Sequence, residues 1–373
     1  MLKFALSAVA LSAVAGAANA QVAIEEISRI NIAQVRFQEW NGALNPSYIG
    51  FRPSAIAFDG GRLFVAGFSN GTGQPLGIVE VTNVSNTGAF NGAFSNTFGV
   101  RNTNTNQGYS GLYLRGNTLA YAYDQNSAAT TNSVGVYDVS NVGVSTSAVT
   151  WQQNIRGGSG VAINGAGNVV HSVVGSNFVR QWNGSNGTPI WNAPGNSPTI
   201  TVNTSGVTFG NNFYRDIDVD PATGRVFQRY SSGIAAWDLS AVNNAATPTN
   251  AAFAIPNGVV NNIGQNLAVA GNAPITGSFV IYNNRSNGGV GQAFGSNFQV
   301  ITTNGASMTL TMNLLSSVTL TNDGYFDFSY DYSTRRLAIL DSSNGFIHIF
   351  QVPAPAAGAL FGMAGLFAAR RRR

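Results

Sequence analysis

The 373 residues include no cysteine, only 9 % charged side chains and a formal net charge of +4. Without cysteine, neither disulfides nor thiolate metal sites can hold the fold, so its stability must come from burial. Lys3 and Arg370 to Arg373 supply five of the 19 cations, leaving 14 basic against 15 acidic residues and no lysine between the two ends, so nothing supplies the basic stripe that nucleic-acid binding needs.

At the start of the chain, Lys3 precedes an apolar run from Phe4 to Ala15, and Ala18-Asn19-Ala20 follows the small-x-small rule of signal peptidase. The run is shorter than the roughly 20 residues a bilayer-spanning helix needs. Residues 1–20 therefore read as a secretory signal peptide, with a mature chain beginning near Gln21. Next comes Ile32-Ala33-Gln34-Val35-Arg36-Phe37, which alternates as a strand but has no hairpin partner nearby.

The body between residues 53 and 352 repeats itself. Ser54-Ala55-Ile56-Ala57-Phe58-Asp59 aligns with copies starting at Ser110, Ser159 and Arg215, and more loosely with Gln265-Asn266-Leu267-Ala268-Val269-Ala270 and Phe326-Asp327-Phe328-Ser329-Tyr330-Asp331. Each copy alternates with period two, as a strand does, and most run into a tight turn such as Asp59-Gly60-Gly61, Asn164-Gly165 or Asp220-Pro221. A second strand follows (Leu63-Phe64-Val65-Ala66; Leu337-Ala338-Ile339-Leu340), and often a third (Ile234 to Leu239; Phe346 to Phe350). All-strand units spaced by about 50 to 60 residues, with no helical periodicity, predict propeller blades.

Six units lie at 53–100, 107–155, 157–205, 213–257, 264–315 and 323–352. The last shows three strands, and Ile32 to Phe37 is the candidate for its missing outer strand, which would close the ring and remove exposed edges. The prediction is an all-β, six-bladed β-propeller over 21–352. Seven blades are the alternative, because 288–322 holds extra strand-like sequence (Phe298-Gln299-Val300-Ile301; Met308 to Met312). In general pattern the body resembles bacterial extracellular propellers with NHL or YVTN-like units.

Asp216, Asp218 and Asp220 share one strand face, and three carboxylates together suit Ca²⁺, so Asp216 and Asp218 are the candidate metal ligands. Asp220 also aligns with Asp59, Asn164 and Asp331 as a turn residue that accepts local backbone hydrogen bonds. Asp216 and Asp327 occupy one repeat position near the start of an innermost strand, where a propeller ligand would sit. Among aromatics beside Asn/Gly loops, Tyr109, Tyr214, Trp182, Trp191 and Trp237 are the ones to inspect for stacking on sugars. Tyr109 and Trp191 stand as ligand candidates, whereas Trp182 and Trp237 recur at equivalent places in their blades and read as packing residues. His171 and His348 lie in apolar strands, and no Ser-His-Asp pattern, Gly-x-Ser-x-Gly or zinc spacing is present, so no catalytic residue is assigned and no cofactor beyond Ca²⁺ is suggested.

The chain ends in Val352-Pro353-Ala354-Pro355, an apolar run from Ala356 to Ala369, and Arg370-Arg371-Arg372-Arg373. The prolines block a helix upstream and allow one to start after Pro355. Such a helix would rise about 21 Å against a hydrocarbon core of roughly 30 Å, reaching across only with help from snorkelling arginines that hold this end in the cytoplasm. The segment 353–373 resembles the PEP-CTERM sorting signal of Gram-negative bacteria: Pro353, Pro355, the Gly/Ala/Leu/Phe run and the four arginines match, and Ala354 stands where that family has Glu. The resemblance implies processing by an exosortase after signal peptidase, transient or lasting membrane contact through the C-terminal helix, a surface or secreted destination, and a partner such as exopolysaccharide. The expectation is an exported, non-enzymatic binding or matrix-scaffold propeller; a polysaccharide hydrolase or lyase using tunnel carboxylates is the alternative.

Overall fold

A computed structural model describes residues 21–32 and, from 49 to 353, the strands with the shorter turns between them; residues 1–20, 33–48, 354–373 and a number of inter-strand loops lie outside that description. The signal-peptide and sorting-tail readings both fall on those outer segments.

Strand β1 (Gln21–Asn31) comes first in the chain but belongs to the last blade. Blade 1 holds β2 (Arg52–Asp59), β3 (Arg62–Phe68), β4 (Pro75–Val81), a short β5 (Gly88–Phe90) in the connection, and β6 (Phe94–Asn102). Blade 2 is β7 (Gly108–Arg115), β8 (Thr118–Asp124), β9 (Ser133–Asp138) and β10 (Thr146–Gln152). Blade 3 is β11 (Gly158–Ile163), β12 (Val169–Val173), β13 (Val179–Trp182) and β14 (Thr199–Ile200), followed by β15 (Val202–Asn203). Blade 4 holds β16 (Tyr214–Val219), β17 (Arg225–Tyr230), β18 (Gly233–Asp238), β19 (Thr249–Asn250), which pairs back to β15, and β20 (Phe253–Pro256). Blade 5 is β21 (Leu267–Ala270), β22 (Phe279–Asn283), β23 (Phe298–Thr302) and β24 (Ser307–Asn313). Blade 6 is β25 (Phe326–Asp331), β26 (Arg336–Asp341), β27 (Phe346–Gln351) and β1.

Within each blade the strands form an antiparallel meander. The inner strands β2, β7, β11, β16, β21 and β25 touch one another in that order, and β25 returns to β2. The result is a closed six-bladed β-propeller. The extra strand-like sequence in 288–322 is the outer half of blade 5 and makes no seventh blade.

Period-two alternation explains how the ring packs. Each sheet turns one face to the preceding blade and the other to the next, so Ile56 and Phe58 join Leu340 and Ile349 of blade 6, while Ala55 and Ala57 join Leu112 and Tyr121 of blade 2. A comparable buried cluster fills each remaining interface, between blades 2 and 3, 3 and 4, 4 and 5, and 5 and 6.

The closing strand differs from the expectation. Gln21–Asn31 fills the place assigned to Ile32–Phe37, of which Ala33 to Phe37 lie outside the described residues. The alternation Val22, Ile24, Glu26 is broken by a register shift between Glu26 and Ser28, which hides the strand pattern. One edge of β1 pairs antiparallel with β27; the other runs parallel to β24 over Gln21–Glu25 and then to β5 over Ser28–Ile30. A single strand therefore straps blades 5, 6 and 1 together.

A buried charge cluster fixes that strap. Glu26 accepts from Arg29 Nε at 2.7 Å and Nη2 at 2.6 Å and from the Leu315 N–H at 2.8 Å, and it lies 2.7 Å from His348 Nδ1. Arg29 also donates to the Ser316 hydroxyl and carbonyl, reaching into blade 5's exit loop. Burial alone would raise the Glu26 carboxyl; hydrogen bonds from His348, Arg29 and Leu315 outweigh it and hold the group at about 2. Because the folded value lies below the usual 4.5, this carboxylate contributes stability above pH 4.5 that is lost as pH falls toward 2. Glu26→Ala should cost about 3–5 kcal/mol in denaturant unfolding by stranding Arg29, and Glu26→Gln should remove much of the acid sensitivity. An unchanged acid limb in Glu26→Gln would show that the strap is held by other contacts.

Candidate functional site at the propeller axis

A blade presents the edge of its inner strand to the axis, so backbone N–H groups there lack a partner strand and need an acceptor. In blades 4 and 6 the side chains at the second and fourth positions of the repeat copy point toward the next blade, and they supply it. Asp216 Oδ2 accepts from the Leu267 N–H at 2.9 Å, and Asp218 Oδ2 accepts from the Val269 N–H at 2.7 Å, tying blade 4 to blade 5. Two blades on, Asp327 Oδ2 accepts from the Ile56 N–H at 2.7 Å and Ser329 Oγ from the Phe58 N–H at 2.8 Å, tying blade 6 to blade 1. Asn266 Nδ2 of blade 5 donates to the second oxygen of Asp327. The second oxygens of Asp216 and Asp218 accept the N–H groups of Ile217 and Val219.

At the other side of the ring, glycine lets neighbouring inner strands approach closely. A Cβ on Gly111 would lie 3.0 Å from Gly160 Cα, and one on Gly160 would lie 2.6 Å from Asp216 Cα, so the inner strands of blades 2, 3 and 4 meet backbone to backbone. These two glycines permit close approach, not an unusual backbone angle.

The hairpin residues behave as the sequence predicts. Asn164 Oδ1 accepts from Ala166 and Asn168, Asp220 Oδ1 from Ala222, and Asp331 Oδ1 from Ser333 and Thr334. Two also reach across: Asp331 accepts the Gly61 N–H and Asp59 the Gly116 N–H of the following blade, both at 2.8 Å.

Asp216, Asp218 and Asp327 are thus buried among neutral donors. Burial first, and the neighbouring Asp327 second, push Asp216 well above the usual carboxylate range; burial raises Asp218 and Asp327 to about 7. Arg229, a buried cation, donates to the carbonyls of Tyr230, Gly233 and Asn283 and sits 5.5 Å over the Tyr282 ring. The carboxylates border a cavity of about 20 Å³, shared with Tyr113, Ser329 and Tyr332. That admits about one water, whereas a small-molecule site runs to several hundred Å³. Among the described residues no group of three or more His, Asp or Glu side chains is arranged to hold a metal ion.

The aromatic ligand candidates are in the interior. Tyr109 is fully buried, with edge contacts to Tyr121 and Tyr123, and its carbonyl accepts from the Ser54 hydroxyl. Trp191 is 7 % exposed and packs on Trp237 between blades 3 and 4. Both are corrected from sugar-stacking candidates to core residues, since a ring can stack on a sugar only if a face is open. The Trp182 indole donates to His171 Nδ1 at 3.1 Å, and the Trp237 indole to Gln228. The Tyr214 side chain lies outside the described residues. Sequence reasoning missed Ser329, Asn266 and the Gly111/Gly160 contact. The repeat alignment held the signal for all of them, because they occupy the same two positions as the aspartates.

The chain matches no family model and no curated protein. Among solved structures it is similar to the β-propeller domain of Cps50 (Swd1) from Myceliophteria thermophila, at 9 % identity, with 81 % of this chain and 83 % of that one covered and a TM-score of 0.45. The fold assignment rests on the strand order and ring contacts above.

Gly160→Ala should destabilise by about 1–3 kcal/mol through overpacking against backbone, measured by denaturant unfolding; Gly295→Ala, whose added carbon would meet only the Met312 side chain at 3.7 Å and whose backbone is not in the left-handed region, is the control. Asp327→Ala should cost about 1–3 kcal/mol by leaving the Ile56 N–H and the Asn266 amide unsatisfied. A neutral result for either would deny the blade-to-blade role.

Proposed function

We infer that this protein is an exported, surface-associated propeller acting as a non-enzymatic binding or matrix-scaffold module, sorted by an exosortase-type system through its tail. The observation that carries the reading is the engagement of all three axial carboxylates by backbone amides around a cavity of water size. Acid–base chemistry on a sugar needs two carboxyls flanking a bond, with room for the ring between them. Asp216 and Asp327 serve the scaffold in that place.

Support for export comes from the two ends. The signal-like leader stops at Ala20, and strand β1 starts at Gln21. The last strand finishes at Gln351, immediately before Pro353 and the tail-like segment. A body with few charges and abundant Gly and Asn suits a matrix or exopolysaccharide partner, as the tail resemblance implies. The raised Asp216 and Asp327 favour a second reading, a polysaccharide hydrolase or lyase, which would require the axis to open on substrate.

Fractionating cells and determining both termini by mass spectrometry tests the leading reading. It expects an envelope or secreted protein beginning at Gln21 with its tail cut or modified near Pro353 to Pro355. A cytoplasmic protein with Met1 and Arg373 intact contradicts it. A glycan array should give binding by the body without product release, and turnover of a bound polysaccharide would favour the enzyme.

A further inference from the structure

Strands β1 and β27, which carry the first and last described residues, open onto the same end of the ring. Strand β27 finishes at Gln351, which pairs with Arg336, and Arg336 pairs with Asp331 across the β25–β26 turn. The exit is pinned to that turn, because the Arg335 carbonyl accepts from the Val352 N–H at 3.0 Å and from Gln351 Nε2 at 2.9 Å. Strand β1 runs antiparallel to β27, so Gln21 lies beyond the end of β27, beside the first residues of β24. The β23–β24 turn there meets the hairpin turn of blade 4, where Arg225 donates to the Thr303 carbonyl and to Asn304. The hairpin turns of the neighbouring blades share this end. Asp331 accepts from Gly61 of blade 1, and Asp59 of blade 1 accepts from Gly116 of blade 2. The turns of blades 3 and 4 also adjoin: a Cβ on Gly165 would lie 3.3 Å from the Pro221 carbonyl.

Little chain separates that exit from the apolar run. Only Pro353, Ala354 and Pro355 stand between Val352 and the stretch Ala356 to Ala369. The four Cα steps from Val352 to Ala356 reach about 14 Å at most. Crossing blade 6 along β26, from Arg336 to Asp341, takes about 17 Å. The linker is therefore too short to bring the opposite end of the ring to a bilayer that holds the apolar run.

We propose, resting on the reading of 353–373 as a membrane segment, that the hairpin end is this protein's membrane-facing surface. While the tail is attached, the hairpin turns lie against the bilayer that holds the apolar run, and the end carrying the β26–β27 turn faces away.

The chemistry of the hairpin end suits a headgroup layer. Its carboxylates are engaged locally: Asp220 and Asp331 within their own turns, Asp59 with the Gly116 N–H, and Asp238 with Arg225. Arg335 and Arg336 stand in the turn that releases the tail, at the level where lipid phosphates would lie. Exposed positions in the turns, such as Gly60, Gly116, Gly165, Ala166 and Ala222, are small, so the turns can approach a flat surface closely.

Because the chain has no cysteine, a single introduced thiol gives one label. The chain from Gln21 to Arg373, which keeps every described residue, is placed in phosphatidylcholine/phosphatidylglycerol vesicles carrying nitroxide headgroups. A fluorophore is attached in turn to Asn117→Cys and Ala166→Cys, in the hairpin turns of blades 2 and 3, and to Thr319→Cys, beside Asn344 of the β26–β27 turn. Blade 3 lies across the ring from blade 6, so its label separates a face laid flat from an edge-on contact. Quenching of both turn labels should exceed that of Thr319→Cys by at least about threefold, since contact quenching does not extend over the about 17 Å of a blade. A Gly/Ser spacer of about twelve residues after Val352, reaching about 40 Å when extended, should bring that ratio toward one. Equal quenching at all three labels, quenching of only one turn label, strongest quenching at Thr319→Cys, or a ratio unmoved by the spacer would overturn the proposal and leave the tail reading standing. A chain that does not float with the vesicles would overturn both.

Discussion

The structure depends on the backbone donors that line a propeller's axis. Six inner strands each turn an edge inward, and a buried N–H without an acceptor costs as much as a broken hydrogen bond. This chain meets the demand with side chains at two junctions and packs the others closely. At the junctions from blade 4 to 5 and from blade 6 to 1, side chains at alternate positions accept the next blade's N–H groups. From blade 2 through blade 4, glycine brings the backbones into contact. The acidic junctions cost burial of carboxyl groups without countercharge, and that cost appears as their raised proton affinity.

Ring closure is the second constraint. A propeller built as a linear run of blades would leave open edges at both ends, and a chain without cysteine has no covalent staple to hold them. Strand β1 covers those edges by pairing with three blades, and the Glu26–Arg29–His348 cluster fixes its register. Charge serves opposite ends here. In the strap, Glu26 has cationic and backbone donors and is held ionised; at the axis, Asp216 and its neighbours have only neutral donors and resist ionisation.

Much of the fold was legible because a repeat shows itself without any knowledge of contacts. The six copies of the inner strand lie where alternation puts them, as do the second strands read in five blades, though β22 of blade 5 went unread, and Asn164, Asp220 and Asp331 cap turns as their residue types require. The closing strand was less legible, because a bulge and two adjacent glutamates interrupt its alternation, whereas Ile32 to Phe37 alternates cleanly. The aspartates were found but their direction was not. Period two shows that Asp216 and Asp218 share a face, but not that this face meets the next blade while the strand's edge meets the axis. Tyr109 and Trp191 failed for a related reason, since neighbouring Asn and Gly suggest exposure while burial is decided by the adjacent sheet.

Neutron diffraction from crystals grown near pH 6 would bear most directly on the central claim, because it locates the exchangeable hydrogens. The account predicts the amide deuterons of Leu267, Val269 and Ile56 aimed at Asp216, Asp218 and Asp327, with at least one of those carboxyls carrying its own deuteron. Carboxylates fully ionised and turned into a hydrated channel, with the three amides bonded to water, would contradict it.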